Sequence, residues 1–298
     1  MGQKVLIIGY GSIGKRHAKI LSNFHIVSDL RLLTSQKNVK FKKIKDFNEA
    51  KKFNPDYIII SNETYLHIKT LKKIERNFSN KKILIEKPLS HRVSNFIPKK
   101  NKVWIGYNMR FNPIVKYLKK NLRNQKIYFV NAFCNSYLPD WRKNRKYQKI
   151  YSADTKKGGG VELDLSHEID YINWIFGDLH KNYIFKSKVS NLNIKSNDIF
   201  VMSAKTKSKT QVLINLNYFT LSPVRKLFIS TKNASYQADF KNNYLKIFKN
   251  KKKKIFYFKN LSYDYSYREM HKEILKNSFK NLCSFKEGMR INKILDHK

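Results

Sequence analysis

The first hundred residues alternate between short apolar runs and segments with helical periodicity. The apolar runs predict strands over Lys4–Ile8, Leu30–Thr34, Asp56–Ile60, Lys82–Glu86 and Val103–Ile105. The segments between them predict helices over Ile13–Leu21, Asp46–Phe53 and Thr64–Phe78. Strands that alternate with helices indicate parallel βαβ units, with helices covering both faces of one sheet.

The pattern changes near Gly106. Beyond it we predict helices over Pro113–Leu122, Val161–Phe176 and Tyr265–Asn281, a strand over Gln125–Ser136 and an aromatic loop over Tyr137–Lys157. From Lys181 to Lys259, short β-rich segments are separated by Asn, Lys and Ser, which is typical of an antiparallel sheet. We therefore predict an α/β chain with an N-terminal domain over residues 1–106 and a C-terminal α+β domain over residues 107–298, built on a mostly antiparallel sheet.

The composition is that of a globular protein, because 41% of the 298 residues are hydrophobic, enough for two domains with real cores. No apolar stretch approaches the length of a membrane span, and the first residues do not have the form of a signal peptide. The two cysteines, Cys134 and Cys283, are too few for a disulfide framework and fit a reducing compartment. The sequence therefore predicts a cytoplasmic protein without membrane contact.

The formal net charge of +41 has two interpretations. One is an anionic partner, such as nucleic acid, a membrane surface or a phosphorylated substrate. The other is an AT-rich coding sequence, because the lysines are spread along the whole chain and the densest runs, Lys37–Lys45 and Lys249–Lys254, are predicted as exposed loops or turns. We favour the second, since no nucleic-acid motif is found, although a cationic protein would still attract an anionic sugar nucleotide.

A glycine motif, Gly9-Tyr10-Gly11-Ser12-Ile13-Gly14, follows the first predicted strand and opens the first predicted helix. In this context the first glycine allows a tight turn, the second lets the backbone approach a pyrophosphate, and the third allows close packing of helix on strand. Free N–H groups at the helix N-terminus attract the phosphates. We therefore predict a Rossmann-type dinucleotide site that includes all six residues, over the alternative of an ordinary glycine turn.

The end of the second predicted strand bears on the choice of dinucleotide. An acidic residue there would bind the ribose 2′-hydroxyl of NAD, but the strand ends in Leu33-Thr34-Ser35-Gln36-Lys37. The hydroxyls of Thr34 and Ser35 and the ammonium of Lys37 suit a 2′-phosphate, which favours NADP over NAD. The alternative is that Lys37 is a solvated surface lysine.

Two further segments carry candidate proton-handling groups. Glu86-Lys87-Pro88 follows an apolar run, at the strand end where open α/β sheets bind ligands, so Lys87 is placed to hydrogen-bond a substrate oxygen. Asp164 and Asp170 each stand three residues from His167 on one predicted helix, and a carboxylate can fix the tautomer of a histidine that carries a proton. The alternatives are a surface lysine in a turn and a buried structural histidine.

Together these segments resemble the Gfo/Idh/MocA oxidoreductase family of glucose–fructose oxidoreductase and inositol dehydrogenase. The resemblance runs over nearly the whole chain, and its motifs are Gly9–Gly14, Asn54–Ile60 with Thr64 and His67, Glu86–Pro88, Gly106–Phe111 and Gly159–Asp170. It implies that Lys87 and His167 handle protons in catalysis with Asp164, and that the Lys87–Pro88 peptide is cis. It implies cofactor contacts at Ser61, Asn62, His67, Glu86 and Lys87. Many relatives place the acid four residues before the histidine, where this chain has Leu163.

The loop before the second glycine run resembles the substrate-facing loop of family members that act on sugars. Trp141 would stack on a sugar face, and Arg142 would bind a phosphate or carboxylate through paired hydrogen bonds. The remaining candidate substrate contacts are Asn108, Arg110, Tyr147 and Asp170. The alternative for each of them is ordinary packing.

The sequence therefore predicts an enzyme, an NAD(P)-dependent oxidoreductase that transfers a hydride between nicotinamide and a hydroxyl- or keto-bearing carbon of a sugar. The expected substrate is a nucleotide-activated or surface-glycan sugar, the expected cofactor NADP or NAD, and the expected assembly a homo-oligomer. The sequence contains no metal-ligand cluster. A non-catalytic cofactor or sugar sensor is the main alternative, and a basic nucleic-acid-binding protein is a more distant one.

Overall fold

The computed structural model describes residues 2–142, 145–259 and 261–296, which divide into two compact units. The first unit contains the chain up to Asn108 together with Tyr263–Asp296. The second unit contains Met109–Ser262. Each unit has its own sheet, one mostly parallel and the other mostly antiparallel, as the sequence predicted.

The first unit begins with six strands in a doubly wound arrangement. These strands are β1 (Gln3–Ile8), β2 (Val27–Leu33), β3 (Lys42–Ile44), β4 (Tyr57–Ile60), β5 (Lys82–Ile85) and β6 (Lys102–Ile105). The helices between them are α1 (Ser12–Leu21), α2 (Phe47–Phe53) and α3 (His67–Asn77). All pairings among the six strands are parallel, in the order β3-β2-β1-β4-β5-β6. The order reverses between β1 and β4, and such a switch point opens a crevice at the carboxyl ends of the strands.

The second unit packs three helices against a long sheet. The helices are α4 (Pro113–Asn121), α5 (Val161–Asp164) and α6 (His167–Phe176). The strands are β7 (Ile127–Tyr137), β8 (Leu179–Ser187), β9 (Ile199–Thr206), β10 (Gln211–Asn217), β11 (Phe219–Thr231), β12 (Ser235–Asp239), β13 (Tyr244–Lys249) and β14 (Lys252–Tyr257). The sheet order is β14-β13-β12-β11-β7-β10-β9-β8, and β7 with β10 is the parallel pair among the strands described.

After Ser262 the chain returns to the first unit. This return differs from the prediction of a single C-terminal domain over residues 107–298. Helix α7 (Tyr265–Leu275) packs against α1, strand β15 (Cys283–Ser284) pairs antiparallel with β6, and helix α8 (Phe285–Leu295) follows. The predicted helix Tyr265–Asn281 is therefore too long, and α8 was not predicted. A capping box begins α8, since the side chains of Ser284 and Glu287 bond each other's backbone N–H. This Ser-x-x-Glu pattern is the sequence signal that marks the helix.

The predicted helix Val161–Phe176 is broken into α5 and α6. Leu165 leaves the helical conformation, with φ −102° and ψ 24°, and the hydroxyl of Ser166 donates to the carbonyl of Leu163 at 3.0 Å. Serine hydroxyls that bond nearby carbonyls compete with the helical pattern. Asp164 and His167 therefore lie on two different helices, and the shared helical face predicted from their spacing is wrong.

Both lysine runs lie at the edge of a sheet. The run predicted as a loop over Lys37–Lys45 contains strand β3, whose Lys42 and Lys43 are exposed while Ile44 is buried. The run Lys249–Lys254 forms the end of β13, a turn and the start of β14, with Lys252, Lys253 and Lys254 all exposed. Strands β3 and β14 are the outermost strands of their sheets. Exposed lysines on edge strands block pairing with another chain, so part of the charge has a structural explanation.

Among the helices that the structure describes, none is long and apolar enough to cross a membrane.

Candidate functional site

The glycine motif forms the turn between β1 and α1, at the switch point of the first sheet. Gly9 has φ +93°, a conformation that residues with a side chain rarely adopt. A Cβ atom at Gly9 would lie 2.5 Å from the backbone nitrogen of Asn62, and one at Gly14 would collide with the carbonyl oxygen of Gly9. These two positions require glycine for turn geometry and for close packing, as the motif predicted.

Gly11 differs from both, because a Cβ atom there would meet no protein atom within 4 Å. Its φ of −68° and ψ of −168° suit any residue, so neither conformation nor packing explains a glycine. Gly11 is the N-cap of α1, which has no side-chain cap and no acidic residue in its first turn. The helix therefore presents its first N–H groups without a competing carboxylate, and these features fit a bound pyrophosphate.

The loop after β4 lies against the glycine turn. The hydroxyl of Ser61 donates to the carbonyl of Gly9 at 2.9 Å, and the amide nitrogen of Asn62 donates to Thr70 Oγ1 at 2.9 Å. Asn62 Oδ1 is buried with no hydrogen-bond partner. Buried polar atoms are nearly always bonded, so this acceptor fits a ligand donor, as expected for the dinucleotide.

His67 connects the loops that follow β4 and β5. Its Nδ1 lies 3.0 Å from the carbonyl oxygen of Pro88, and its Nε2 lies 3.1 Å from that of Asn62. The side chain is buried, and desolvation lowers the pKa of His67 despite the two carbonyls that favour its charged form. The neutral ring has one N–H and donates to one of the two carbonyls, so His67 lies between the two loops in the predicted cofactor region.

The segment after β2 lies beside the glycine turn. The side-chain nitrogen of Gln36 donates to the carbonyl of Tyr10 at 2.8 Å, and Lys43 Nζ donates to the carbonyl of Gln36 at 2.8 Å. Ser35 and Lys37 are exposed and Thr34 is half-buried. The end of β2, where an acidic residue would select NAD, thus carries hydroxyl and ammonium groups instead.

Glu86, Lys87 and Pro88 follow β5 on the same carboxyl edge of the sheet. The Lys87–Pro88 peptide is cis, as the family resemblance implied. Lys87 is half-buried, whereas Glu86 is buried and accepts hydrogen bonds from the Lys87 backbone nitrogen at 3.2 Å and from His17 Nε2 at 2.9 Å. The Glu86 carboxylate thus has protein partners on both sides, and it is Lys87 that reaches toward the surface.

In the second unit, Asp164 lies at the end of α5 and binds two tyrosines. Tyr151 donates to Oδ1 at 2.8 Å and Tyr218 donates to Oδ2 at 2.5 Å. The pKa of Tyr151 is raised well above its usual value, mainly by the charge of Asp164 and then by burial. The pKa of Tyr218 is also raised well above its usual value, mainly by burial and then by Asp164. Both hydroxyls therefore stay protonated and act as donors.

The same two tyrosines contact the predicted substrate residues. The ring of Trp141 meets that of Tyr218 edge-on, with centroids 5.2 Å apart, and the indole N–H donates to Ser136 Oγ at 3.0 Å. The guanidinium of Arg142 lies 5.8 Å from the ring centre of Tyr151. Trp141, Arg142 and Asp164 are thus brought together, and we call them with Tyr151 and Tyr218 the tyrosine cluster. Sequence reasoning missed Tyr218, since no local pattern marks a tyrosine between two strands.

The structure gives three predicted substrate residues partners within the protein. The Arg110 guanidinium binds the Asp170 carboxylate through Nε at 3.0 Å and Nη2 at 2.7 Å, and their side chains are 1% and 0% exposed. This pair ties the turn before α4 to α6. Tyr147 accepts a hydrogen bond from the backbone nitrogen of Asn193 at 3.2 Å. Asn108, the last residue of the first unit, is buried.

A second buried ion pair was not predicted. Arg225 Nε donates to Glu168 Oε1 at 2.7 Å, and the carboxylate is 0% exposed. Glu168 follows His167 on α6, and Arg225 lies on β11, so the pair attaches the helix to the sheet. Across the residues described, no group of His, Cys, Asp and Glu could hold a metal ion.

Comparison with solved structures finds the fold of this chain in several sugar dehydrogenases. A levoglucosan dehydrogenase in complex with NADH and levoglucosan has a TM-score of 0.84 and 13% identity, over 99% of this chain and 95% of that chain. A UDP-N-acetylglucosamine 3-dehydrogenase from Acidithiobacillus ferrooxidans has a TM-score of 0.77 and 16% identity, over 99% and 96%. A myo-inositol 2-dehydrogenase from Lactobacillus plantarum has a TM-score of 0.77 and 17% identity, over 99% and 95%. No protein-family model and no curated protein matches the chain. At these identities the likeness shows the α/β fold with its two sheets.

Proposed function

We propose that the chain is an NAD(P)-dependent oxidoreductase of the Gfo/Idh/MocA type that transfers a hydride between nicotinamide and a sugar carbon bearing a hydroxyl or ketone. The observation that carries the proposal is the open space at Gly11, on an uncapped helix N-terminus at the switch point of the first sheet. Lys87 follows β5 on the same edge of that sheet. The solved structures similar to this chain include dehydrogenases of free and nucleotide-activated sugars.

The chain's own residues would bind the dinucleotide and handle the substrate proton. The backbone of Gly9–Gly14 would hold the pyrophosphate, with Ser61 and Asn62 fixing the turn. Bound NAD(P) would supply the hydride acceptor or donor. Lys87 would hydrogen-bond the substrate oxygen, and His167 would take or give the hydroxyl proton. Asp164, bound by two tyrosine hydroxyls, would anchor the tyrosine cluster.

We propose NADP as the preferred cofactor. No acidic residue occurs among residues 34–37, and Ser35 and Lys37 are exposed beside the glycine turn. An ammonium and two hydroxyls complement a 2′-phosphate, whereas NAD-binding sites of this type present a carboxylate to the ribose.

We propose a nucleotide-activated sugar, of the kind used for surface glycans, as the substrate. Trp141 offers an aromatic face for a sugar ring, and Arg142 is half-buried beside it. The net charge of +41 favours the approach of a diphosphate-linked substrate through solution. The similar structures include both a UDP-N-acetylglucosamine 3-dehydrogenase and a levoglucosan dehydrogenase, so the choice depends on the charge and on Arg142.

We propose that the chain forms a homo-oligomer through the open face of the second sheet. Leu213 and Phe228 on this face are 38% and 36% exposed. Asn135 and Asn215 each have a buried side-chain oxygen without a partner. Light scattering coupled to size-exclusion chromatography should give a mass at least twice that of the chain.

The decisive experiment compares the wild-type protein with Gly11→Ala. Alanine at this position meets no protein atom, so the free energy of unfolding should not fall, but its methyl group would occupy the space of the pyrophosphate. Dinucleotide affinity, measured by the fluorescence of NADPH, should drop at least about tenfold. Turnover with a panel of free and UDP-linked sugars tests the reaction itself. Binding without any turnover would favour a sensor, and unchanged NADPH affinity in Gly11→Ala would contradict the proposed site.

A further inference from the structure

Four buried side chains in the first unit form a continuous hydrogen-bonded series. Tyr57 Oη lies 3.0 Å from His271 Nδ1, His271 Nε2 lies 2.8 Å from His17 Nδ1, and His17 Nε2 lies 2.9 Å from Glu86 Oε1. The first three side chains are 0% exposed and Glu86 is 5% exposed. These residues come from β4, α7, α1 and the end of β5. We call them the buried series.

The carboxylate end of the series determines the direction of its last hydrogen bond. The carboxylate of Glu86 only accepts, so His17 must donate from Nε2. The contact between the two histidine rings and the contact between His271 and the Tyr57 hydroxyl each need one proton, on either partner. Each of the three contacts then has one donor and one acceptor.

Burial determines the protonation of two members of the series. Burial, and then the charge of Glu86, raises the pKa of Tyr57 well above its usual value, so its hydroxyl stays protonated. Burial, and then His17, lowers the pKa of His271 well below its usual value, so that ring is neutral. A buried network in which every member is satisfied is rigid, because any rearrangement leaves an unpaired polar group.

The series ends beside the candidate catalytic lysine. Glu86 Oε1 bonds His17, while its other oxygen accepts from the backbone nitrogen of Lys87 at 3.2 Å. The carboxylate thus transmits the position of α1 and α7 to the peptide from which the Lys87 side chain extends.

We propose that His17 and His271 are positioning residues that hold the Glu86 carboxylate and thereby set the orientation and reactivity of Lys87. The proposal rests on the proposed function only in its consequence for turnover, since the state of the two rings and of the lysine can be measured without a substrate. His17 and His271 lie 254 residues apart in sequence, so this role gives helix α7 a part in the site.

The first test uses the intact protein with ¹⁵N-labelled histidine. Ring nitrogen shifts should show His17 protonated at Nε2, the nitrogen that faces the Glu86 carboxylate. The opposite tautomer at His17 would remove the hydrogen bond to Glu86 and overturn the proposal. This measurement requires no activity, so it is independent of the proposed function.

The second test compares His17→Leu, His17→Gln and Tyr267→Phe. Leucine removes both ring nitrogens, whereas glutamine can still donate to Glu86 and accept from His271. Tyr267→Phe is the matched control, because this buried hydroxyl belongs to α7 and bonds Arg16 outside the series. The rate at which an amine reagent labels Lys87, followed by mass spectrometry, reports the state of the lysine in each folded variant.

In His17→Leu, the Glu86 carboxylate loses the donor at Oε1 and is released to stabilise the charged form of the neighbouring Lys87, which should slow the labelling of Lys87 several-fold. Turnover should fall about tenfold to a hundredfold with NADPH affinity retained, as for a misplaced catalytic group. His17→Gln should recover most of both losses, and Tyr267→Phe should match the wild type. Should His17→Leu not fold, Tyr57→Phe removes the terminal donor and should change labelling in the same direction. Wild-type labelling in folded His17→Leu would overturn the proposal, whereas a wild type that binds no dinucleotide would count against the proposed function alone.

Discussion

The Tyr218 hydroxyl lies 2.5 Å from Oδ2 of Asp164, and both groups are buried. A buried carboxylate needs a donor for each oxygen, and Tyr151 supplies the second at 2.8 Å. Asp164 is therefore bound by tyrosines from two different segments of the second unit, which fixes the position of the chain just before His167.

Replacing Tyr218 by phenylalanine should destabilise the protein, because it leaves a buried carboxylate oxygen without its donor. The expected loss in the free energy of unfolding is about 1–3 kcal/mol. Urea denaturation measures it. Tyr183→Phe, at a tyrosine that is 60% exposed, is the control and should change stability by less than about 0.5 kcal/mol. Equal stability in the two variants would show that the bond to Asp164 is not stabilising.

Stability should fall below about pH 6.5 because the folded protein excludes protons from buried histidines. Burial lowers the pKa of His67, and burial and His17 lower that of His271, both from an unfolded value of 6.5. Below pH 6.5 the unfolded chain therefore takes up protons that the folded chain does not. The contribution of the two histidines to stability is complete above pH 6.5 and is lost as the pH falls toward their lowered pKa values. Each histidine adds a slope of up to about 1.4 kcal/mol per pH unit.

The matched variants for this prediction are His271→Gln and His25→Gln. His25 is exposed and should leave the pH dependence of urea unfolding unchanged. His271→Gln should remove one histidine's share of the slope. Glu162 titrates with the opposite sign, since burial raises its pKa, but it is common to both variants and cancels in the comparison. A slope in His271→Gln as steep as that of the wild type would argue against exclusion of a proton from this ring.

The choice between NADP and NAD should depend on the segment after β2. Lys37→Ala should weaken NADPH binding with little effect on NADH, because only NADPH carries the 2′-phosphate. Ser35→Asp should go further, reversing the preference by pairing a carboxylate with the ribose hydroxyls of NADH. Lys40→Ala, a nearby exposed lysine, is the control. If Lys37→Ala loses affinity for NADPH and NADH equally, Lys37 acts through the net charge of the protein and not through the 2′-phosphate.

The lysines of β14 should keep the second sheet from pairing with another chain. Lys252→Thr with Lys254→Thr removes two of the three lysines of the edge strand and should cause concentration-dependent association, seen by analytical ultracentrifugation. The control, Lys19→Gln with Lys120→Gln, removes the same charge from exposed helical positions and should not associate. Association in both would attribute the effect to net charge rather than to the strand edge.

The Arg110–Asp170 pair should be structural. Asp170→Asn leaves the buried guanidinium without a countercharge and should cost about 3–5 kcal/mol of unfolding free energy. Arg110→Met with Asp170→Leu replaces both charges and should cost less than the single change, as found for other buried pairs. If the double variant keeps its stability but loses substrate affinity, the pair would have the binding role predicted from sequence.

The fold class and the dinucleotide turn could be predicted because they depend on neighbouring residues. An apolar run such as Lys4–Ile8 buries itself as a strand whatever surrounds it, and the Gly9–Gly14 turn follows from backbone freedom at fixed spacings. The cis peptide before Pro88 was implied by the family resemblance and is present. The break between α5 and α6 could not be predicted, because the apolar pattern continues across Ser166 while its hydroxyl competes for a helix carbonyl.

By itself, the sequence determined the α/β class, the position of the glycine turn and the strand end that carries Lys87, since short-range periodicity and backbone sterics control them. Only the tertiary structure decided that helix α7, late in the chain, joins the first unit. It also decided that Glu86 binds His17, and that Asp164 binds Tyr218. Those partners are 69 and 54 residues apart along the chain, and their contacts exist only because packed strands and helices bring them together. A polar group in the core must find a donor or acceptor wherever the fold supplies one, and no local pattern records which residue that is.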